Sequence, residues 1–410
     1  MHQENKQGYI DADRLYVCNT TPYPKDMVVD RSEGCTIYTV DGEEYFDLWG
    51  GVAVCNVGHR NQEVVDAVKA QLDRSMHVMC YGKYVIPIQV DAARLVAEVT
   101  PPDLKTIFFT NSGCEAVEGA LKTARKYTGR SRLIAFQGAF HGRTFGALSV
   151  TCREHYPTPF EPLVPDTHFI PFDDLDAARQ AIDERTAGVI VEPVQGEGGV
   201  RVPSDGYLPA LRQICDDVGA MLIFDEVQTG FGRTGKWFAC EHWDVTPDIM
   251  ALAKALGGGM PIGGFIGKPE VMDTLCNPPL SHLTTFGGHP VSCAAVKASI
   301  EFMRREDLPA QSAARGEQFM EGLREQQARY PGVIAEIRGL GLMIGIQLQS
   351  KEVMAKYVEE VHKEHLVIGD SINDDVTARL EPPLTITEEQ VAEALARLEA
   401  ATARTAEAFA

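Results

Sequence analysis

From about residue 85 to residue 224 the chain alternates helical patterns with short apolar runs, and this alternation restricts the fold more than any other feature. Val90 to Val99 has helical spacing, Thr106-Ile107-Phe108-Phe109 reads as a strand, Glu115 to Tyr127 as a helix and Arg132-Leu133-Ile134-Ala135-Phe136 as a strand. The pattern continues through Gly188-Val189-Ile190-Val191 and Met221-Leu222-Ile223-Phe224. A strand that is apolar at every position is buried on both faces, and a helix between two such strands returns the chain for parallel pairing. The expectation is an α/β fold with a mostly parallel sheet covered on both faces by helices.

At 410 residues the chain exceeds what one core usually organises, so two domains are expected. Residues 1 to about 27 are polar with little pattern. From Met27 the text becomes strand-like: Val28-Val29, then Thr36 to Val40, a tight Asp41-Gly42 turn, and Tyr45-Phe46-Asp47-Leu48, a small antiparallel meander. After about residue 290 helices dominate, at Pro290 to Arg304, Ala313 to Arg329 and Glu352 to Glu364, with strand candidates at Ile334 to Arg338 and Met343 to Gln347. Thr387-Glu388-Glu389-Gln390 opens a terminal helix as a capping box. The expected division is 1–57 for an N-terminal segment and part of a small α+β domain, 58–290 for the large domain, and 291–410 for the rest of the small one.

Composition excludes several partner classes. A net charge of −20 argues against nucleic acid or an anionic membrane surface. No apolar run approaches the ~18 residues of a membrane span. Met1-His2-Gln3-Glu4-Asn5-Lys6 lacks the basic start and apolar core of a signal peptide, so a cytoplasmic location is expected. The ten cysteines include no C-x-x-C pair, which fits free thiols in a reducing compartment. His362 and His365 have helical spacing without a third ligand, and no metal site is expected.

Two residues carry the chemistry. Lys254 lies in Ile249-Met250-Ala251-Leu252-Ala253-Lys254 and is followed at once by a glycine-rich stretch from Gly257 to Gly267. Most lysines are surface charge, but desolvation lowers an ammonium's pKa and prepares the amine for Schiff-base formation with a carbonyl. Asp225 directly follows the apolar run Ala220 to Phe224, and open α/β sheets place ligand groups at the carboxyl ends of such strands. A buried aspartate needs a cation, and a protonated pyridine nitrogen is one. Lysine and aspartate together are the pairing that pyridoxal phosphate chemistry requires. Between a strand and a helix, Ser112-Gly113-Cys114 can hold a phosphate at the helix N-terminus, or can be an ordinary N-cap.

Seven motifs, in this order, carry a resemblance: Asn111-Ser112-Gly113-Cys114-Glu115-Ala116; Phe140-His141-Gly142-Arg143-Thr144; Val191-Glu192-Pro193-Val194-Gln195-Gly196-Glu197-Gly198-Gly199; Asp225-Glu226-Val227-Gln228-Thr229-Gly230-Phe231-Gly232-Arg233; the Lys254 stretch; Thr284-Thr285-Phe286-Gly287-Gly288; and Arg379-Leu380-Glu381-Pro382-Pro383-Leu384. From about Val28 to Val391 the chain resembles class III aminotransferases of pyridoxal-phosphate fold type I, in the ornithine, acetylornithine and putrescine group. The resemblance implies a seven-stranded, mostly parallel sheet in the large domain and pyridoxal 5′-phosphate on Lys254. It implies that Asp225 holds the ring nitrogen, that Ser112, Gly113 and Cys114 hold the phosphate, and that Phe140 stacks on the ring with His141 beside it. Gln228 is expected on the phenolic oxygen. Thr285 is expected on the phosphate of a neighbouring subunit, which implies a homodimer and leaves a dimer of dimers open.

For substrates, the resemblance assigns Arg379 to the α-carboxylate of 2-oxoglutarate or glutamate and Arg143 to a second carboxylate. Glu192 is expected beside the cofactor and as the glutamate that masks Arg379 when the donor offers an ω-amine. Tyr23, Pro24, Val52, Cys80 and Tyr81 correspond to pocket-lining segments. Cys114 replaces the threonine or alanine frequent in relatives, and His289 replaces asparagine. The expected reaction moves an amino group, from an ω-amine or an amino acid, to 2-oxoglutarate, giving glutamate and an aldehyde or oxo acid, with Lys254 shuttling the proton. A racemase or epimerase, an aminomutase or a decarboxylase would need the same Lys254 and Asp225. A cofactor-binding regulator without turnover is a rival from another class. A metal hydrolase built on Asp225-Glu226 lacks a nearby histidine.

Overall fold

The computed structural model describes residues 5–21, 26–152 and 159–410. Its strands are β1 Val29–Glu33, β2 Thr36–Thr39, β3 Glu44–Asp47, β4 Thr106–Thr110, β5 Arg132–Phe136, β6 Thr167–Ile170, β7 Thr186–Val191, β8 Met221–Asp225, β9 Ile249–Leu252, β10 Gly263–Gly267, β11 Ile334–Leu340, β12 Met343–Leu348, β13 Leu366–Val367, β14 Gly369–Ser371 and β15 Asp374–Leu380.

The central sheet has seven strands in the order β4-β10-β9-β8-β7-β5-β6. Neighbours pair in parallel from β9 through β6, whereas β10 is antiparallel to both β9 and β4. The exception has a simple cause. Only residues 253–262 join β9 to β10, too few for the crossover that parallel strands require. Along β7 and β8 successive side chains leave opposite faces. Ile190 and Ile223 pack with Ala116, Ala120 and Ala124 of helix Gly113–Thr128. Val189, Val191 and Phe224 join the larger core that includes Leu208 and Leu211 of helix Tyr207–Val218. All six residues of β7 are buried, which is why this strand reads as one apolar run.

Two smaller sheets flank it. In the first, the meander β1-β2-β3 is antiparallel and β13 adds to β3 in parallel, joining residues 366–367 to residues 46–47. The second is antiparallel, in the order β11-β12-β15-β14. The capping box at Thr387 forms as the sequence predicts, with Gln390 returning the bond. One element departs from the expectation of an unpatterned N-terminus: Lys6–Tyr16 is a helix capped by Asn5, and it has no buried residue, so no apolar stripe marks it in the sequence. No helix among the described residues is long and apolar enough to cross a membrane.

Candidate active site

Because β10 alone runs against its neighbours, β4, β9, β8, β7 and β5 end at the same edge of the sheet. A cavity of about 400 Å³ opens there, and its lining includes Ser112, Gly113, Cys114, Phe140, His141, Glu192, Asp225, Gln228 and Lys254. The fold thus collects residues from five separated segments at the place where open α/β sheets bind ligands.

Lys254 opens a 3₁₀ turn just after β9. Its φ of +44° is a strained value for a non-glycine residue. Burial pushes its ammonium below the ordinary range, and the carboxylates of Glu381 and Glu197 work in the opposite direction. Asp225 ends β8, where its Oδ2 lies 2.7 Å from His141 Nδ1 and its Oδ1 accepts from the Val227 N–H at 3.0 Å. His141 is itself fixed by its main chain, which donates to Thr151 Oγ1 at 2.9 Å, while its buried Nε2 has no hydrogen-bond partner.

At the end of β4, Ser112 caps helix Gly113–Thr128 by accepting from the Glu115 N–H at 3.3 Å. The remaining first-turn N–H groups give this end of the cavity a partial positive charge. A Cβ at Gly142, whose φ is +127°, would sit 2.5 Å from Cys114 Sγ. Cys114 Sγ also accepts from the Arg143 N–H at 3.4 Å. Gln228 reaches in from the segment after β8, its Nε2 donating to Glu381 Oε1 at 2.8 Å.

The glutamate facing Arg379 is not the one the sequence reading assigned. Glu192 turns both oxygens to backbone, accepting from Phe140 N–H at 3.0 Å and Gly196 N–H at 3.1 Å. Burial pushes its carboxyl up to about 7, against the lowering effect of His141 and with that of Asp225 added. Arg379, on β15, pairs instead with Glu197 at 2.9 Å and with Glu381 at 3.3 Å, while its Nε donates to the Asp370 carbonyl at 2.9 Å. Glu192 and Glu197 belong to one motif, and only the tertiary structure decides which of them meets β15.

Other predicted residues lie away from the cavity lining. Arg143 is exposed, its guanidinium 5.2 Å from the centre of the Phe140 ring. Thr285 is exposed. Tyr81 is turned into the protein, its hydroxyl accepting from Phe109 N–H at 2.6 Å and its ring stacked on Phe108. Val52 and Cys80 are not in the lining, whereas Val54, Met260, Pro261 and Ile262 are, and none of these four was singled out from sequence. Tyr23 and Pro24 lie outside the described residues.

A helix N-terminus at one end, a buried carboxylate at another and a lysine facing the same space form a donor set suited to a flat ring with a phosphate and a basic nitrogen. Fold and site together define a pyridoxal-phosphate transferase of fold type I. The family model for class-III aminotransferases matches residues 18–402, and the chain belongs to that family. It is 45% identical over 371 residues to a putrescine aminotransferase of Pectobacterium atrosepticum, covering 88% of this chain and 79% of that protein. It is also 45% identical over 386 residues to an acetylornithine aminotransferase of Methanopyrus kandleri, covering 94% and 96%. Among solved structures, the ornithine aminotransferase of Toxoplasma gondii superposes with a TM-score of 0.93 at 31% identity, over 99% of this chain and 97% of that one. An amine transaminase from an uncultivated Pseudomonas species, solved with pyridoxal phosphate bound, gives 0.87 at 31% identity over 95% and 98%. The protein is therefore an enzyme that transfers nitrogenous groups with pyridoxal 5′-phosphate.

Two outcomes are expected. Borohydride treatment of the cofactor-loaded wild type leaves a stable adduct on the peptide containing Lys254, and Lys254→Ala lacks both that adduct and the visible absorbance while keeping its circular dichroism. An unchanged spectrum would remove Lys254 from its role. The second concerns Glu192 in the apoprotein. A carboxyl whose folded pKa is raised holds its proton more tightly when folded, so the stability it supplies is present below about 4.5 and is lost as pH climbs toward about 7. Glu192→Gln should remove roughly 3 kcal/mol of that decline between pH 4.5 and 7, read from denaturant midpoints. Equal slopes in the two proteins would contradict the assignment.

Proposed function

We propose that this enzyme moves an amino group from an ω-amine, or from an amino acid, to 2-oxoglutarate, producing glutamate and an aldehyde or oxo acid. The observation that carries the acceptor is Arg379, a fully buried guanidinium whose fork is met by Glu197 at 2.9 Å. A planar guanidinium pairs with both oxygens of a carboxylate, and an internal carboxylate that occupies it can be exchanged for one on a substrate. One pocket can then present Arg379 to 2-oxoglutarate and Glu197-covered Arg379 to an amine without a carboxylate. The relatives named for putrescine and acetylornithine, at equal identity, support an ω-amine as donor.

The remaining residues have roles that their positions suit. Bound pyridoxal 5′-phosphate supplies the carbonyl that joins the amine and a ring that accepts the electron pair released at the donor carbon. Lys254 takes the proton from that carbon and returns it, a task suited to an amine whose pKa burial has lowered. Asp225, oriented by His141, stabilises positive charge on the ring nitrogen. Ser112, Gly113 and Cys114 hold the phosphate at the helix N-terminus, Phe140 covers a ring face, Glu192 supports the same end of the cavity, and Gln228 addresses the phenolic oxygen. Arg143 takes the outer part of the substrate. Thr285 lies in an exposed stretch with the exposed apolar side chains Leu283 and Phe286, which suits burial against a second copy with Thr285 on its phosphate. Ten unpaired cysteines and the acidic charge support a cytoplasmic location and no nucleic-acid partner.

Incubation with 2-oxoglutarate and a panel of ω-amines and amino acids should yield glutamate. In Arg379→Gln, kcat/KM for 2-oxoglutarate should fall about a hundredfold, equivalent to ~3 kcal/mol, with the amine half-reaction affected far less. Absence of glutamate with every donor, or an equal loss in both half-reactions, would refute the proposal.

A further inference from the structure

Arg379 faces two carboxylates, and only one of them is explained by a switch. Glu381 lies just beyond the end of β15, two residues after Arg379. It is fully buried. Its Oε1 accepts from Gln228 Nε2 at 2.8 Å, and its Oε2 lies 3.3 Å from Arg379 Nη1. Neither that Oε2 nor that Nη1 makes a hydrogen bond, so each has unused capacity inside the protein. The main chain at Glu381 is pinned: its N–H donates to the Leu48 carbonyl at 2.7 Å, and its own carbonyl packs so closely on Gly50 that a Cβ there would lie 2.7 Å away.

Two other buried cations also answer to Glu381. Arg233 is fully buried and donates to neutral acceptors, the carbonyls of Leu342 and Pro382 and the side-chain oxygen of Asn56. Glu381 leads the charges acting on it. Glu381 is likewise the foremost charge acting on Lys254, ahead of Glu197. The carboxylate therefore serves Lys254, Arg379 and Arg233 at once and cannot withdraw with its backbone.

We propose that Glu381 is a specificity-determining residue: a fixed negative charge that stays beside Arg379 when Glu197 gives way, selecting donors that carry a second ammonium and no α-carboxylate. The donor class is then the α,ω-diamines, and the dicarboxylate acceptor binds weakly enough to leave. Glu381 also positions Gln228 by fixing the direction of its amide. This deepens the transamination reading above and rests on it for the donor class. The charge itself acts on any ligand, because a carboxylate brought to Arg379 meets Glu381 whether or not a reaction follows.

The test uses cofactor-loaded enzyme and two probes: glutarate, a dicarboxylate with no amine, and 1,4-diaminobutane with 2-oxoglutarate. Glu381→Gln keeps an acceptor for Gln228 but removes the charge. It should bind glutarate at least tenfold more tightly than the wild type and lose at least tenfold in kcat/KM for the diamine. Glu381→Asp should stay within about twofold of the wild type for glutarate. If Glu381→Gln does not fold, the wild type decides, since it should react with 1,4-diaminobutane at least tenfold faster in single turnover than with L-glutamate. Unchanged glutarate affinity in Glu381→Gln, or a wild type that prefers the α-amino acid, would overturn the proposal. Tighter glutarate binding without glutamate formation from any amine would instead leave the charge role standing and sink the transamination reading.

Discussion

A carboxylate at the end of a buried strand needs partners that replace the water it has lost, and Asp225 has them. β8 lies in the middle of the central sheet between β7 and β9, so its final residue meets little water. His141 at 2.7 Å and the Val227 N–H at 3.0 Å hold the carboxylate while leaving it on the cavity wall. Glu192, on the next strand end, is pushed up to about 7 with Asp225 among the causes. Asp225 and Glu192 thus sit on one cavity with different partners, a histidine and one backbone N–H for the first and two backbone N–H groups for the second. The parallel sheet makes this possible by ending β5, β7, β8 and β9 at one edge, the last of them delivering Lys254.

A second set of buried charges gathers around Arg379. Arg379 and Arg233 supply the cations, and Glu197 and Glu381 the anions. Arg379 with its two glutamates is a buried network in which each charge compensates another, so removing one member leaves its partner uncompensated inside the protein. Glu197 comes from the loop after β7 and Arg379 from β15, in different sheets. The Arg379–Glu197 pair therefore ties the central sheet to the sheet formed by β11, β12, β15 and β14.

Much of this was legible in the sequence, for physical reasons that also mark where legibility stopped. Apart from the end residues Arg132, Thr186 and Asp225, β5, β7 and β8 are apolar because both faces are covered. β10 was not recognised because Gly263, Gly264 and Gly267 are poor strand formers, present where the sheet must approach other backbone; a Cβ at Gly263 would fall 2.2 Å from the Ser112 carbonyl. Lys254 and Asp225 stood out because each is a charge attached to an apolar run. Glu197 was passed over for Glu192 because four loop residues separate two equivalent-looking side chains, and no periodicity applies there. Glu381 lies just past the end of β15, where strand alternation no longer fixes the direction of a side chain, so its place beside Arg379 had no periodic signal.

The opposition of Lys254 and Asp225 across one ring is tested most directly by ¹⁵N NMR of pyridoxal 5′-phosphate labelled at the ring nitrogen, bound to the wild type and to Asp225→Asn near neutral pH. A protonated nitrogen in the wild type that becomes unprotonated in the variant is the expected result. An unprotonated nitrogen in the wild type, or the same chemical shift in both proteins, would contradict the placement of the ring against Asp225.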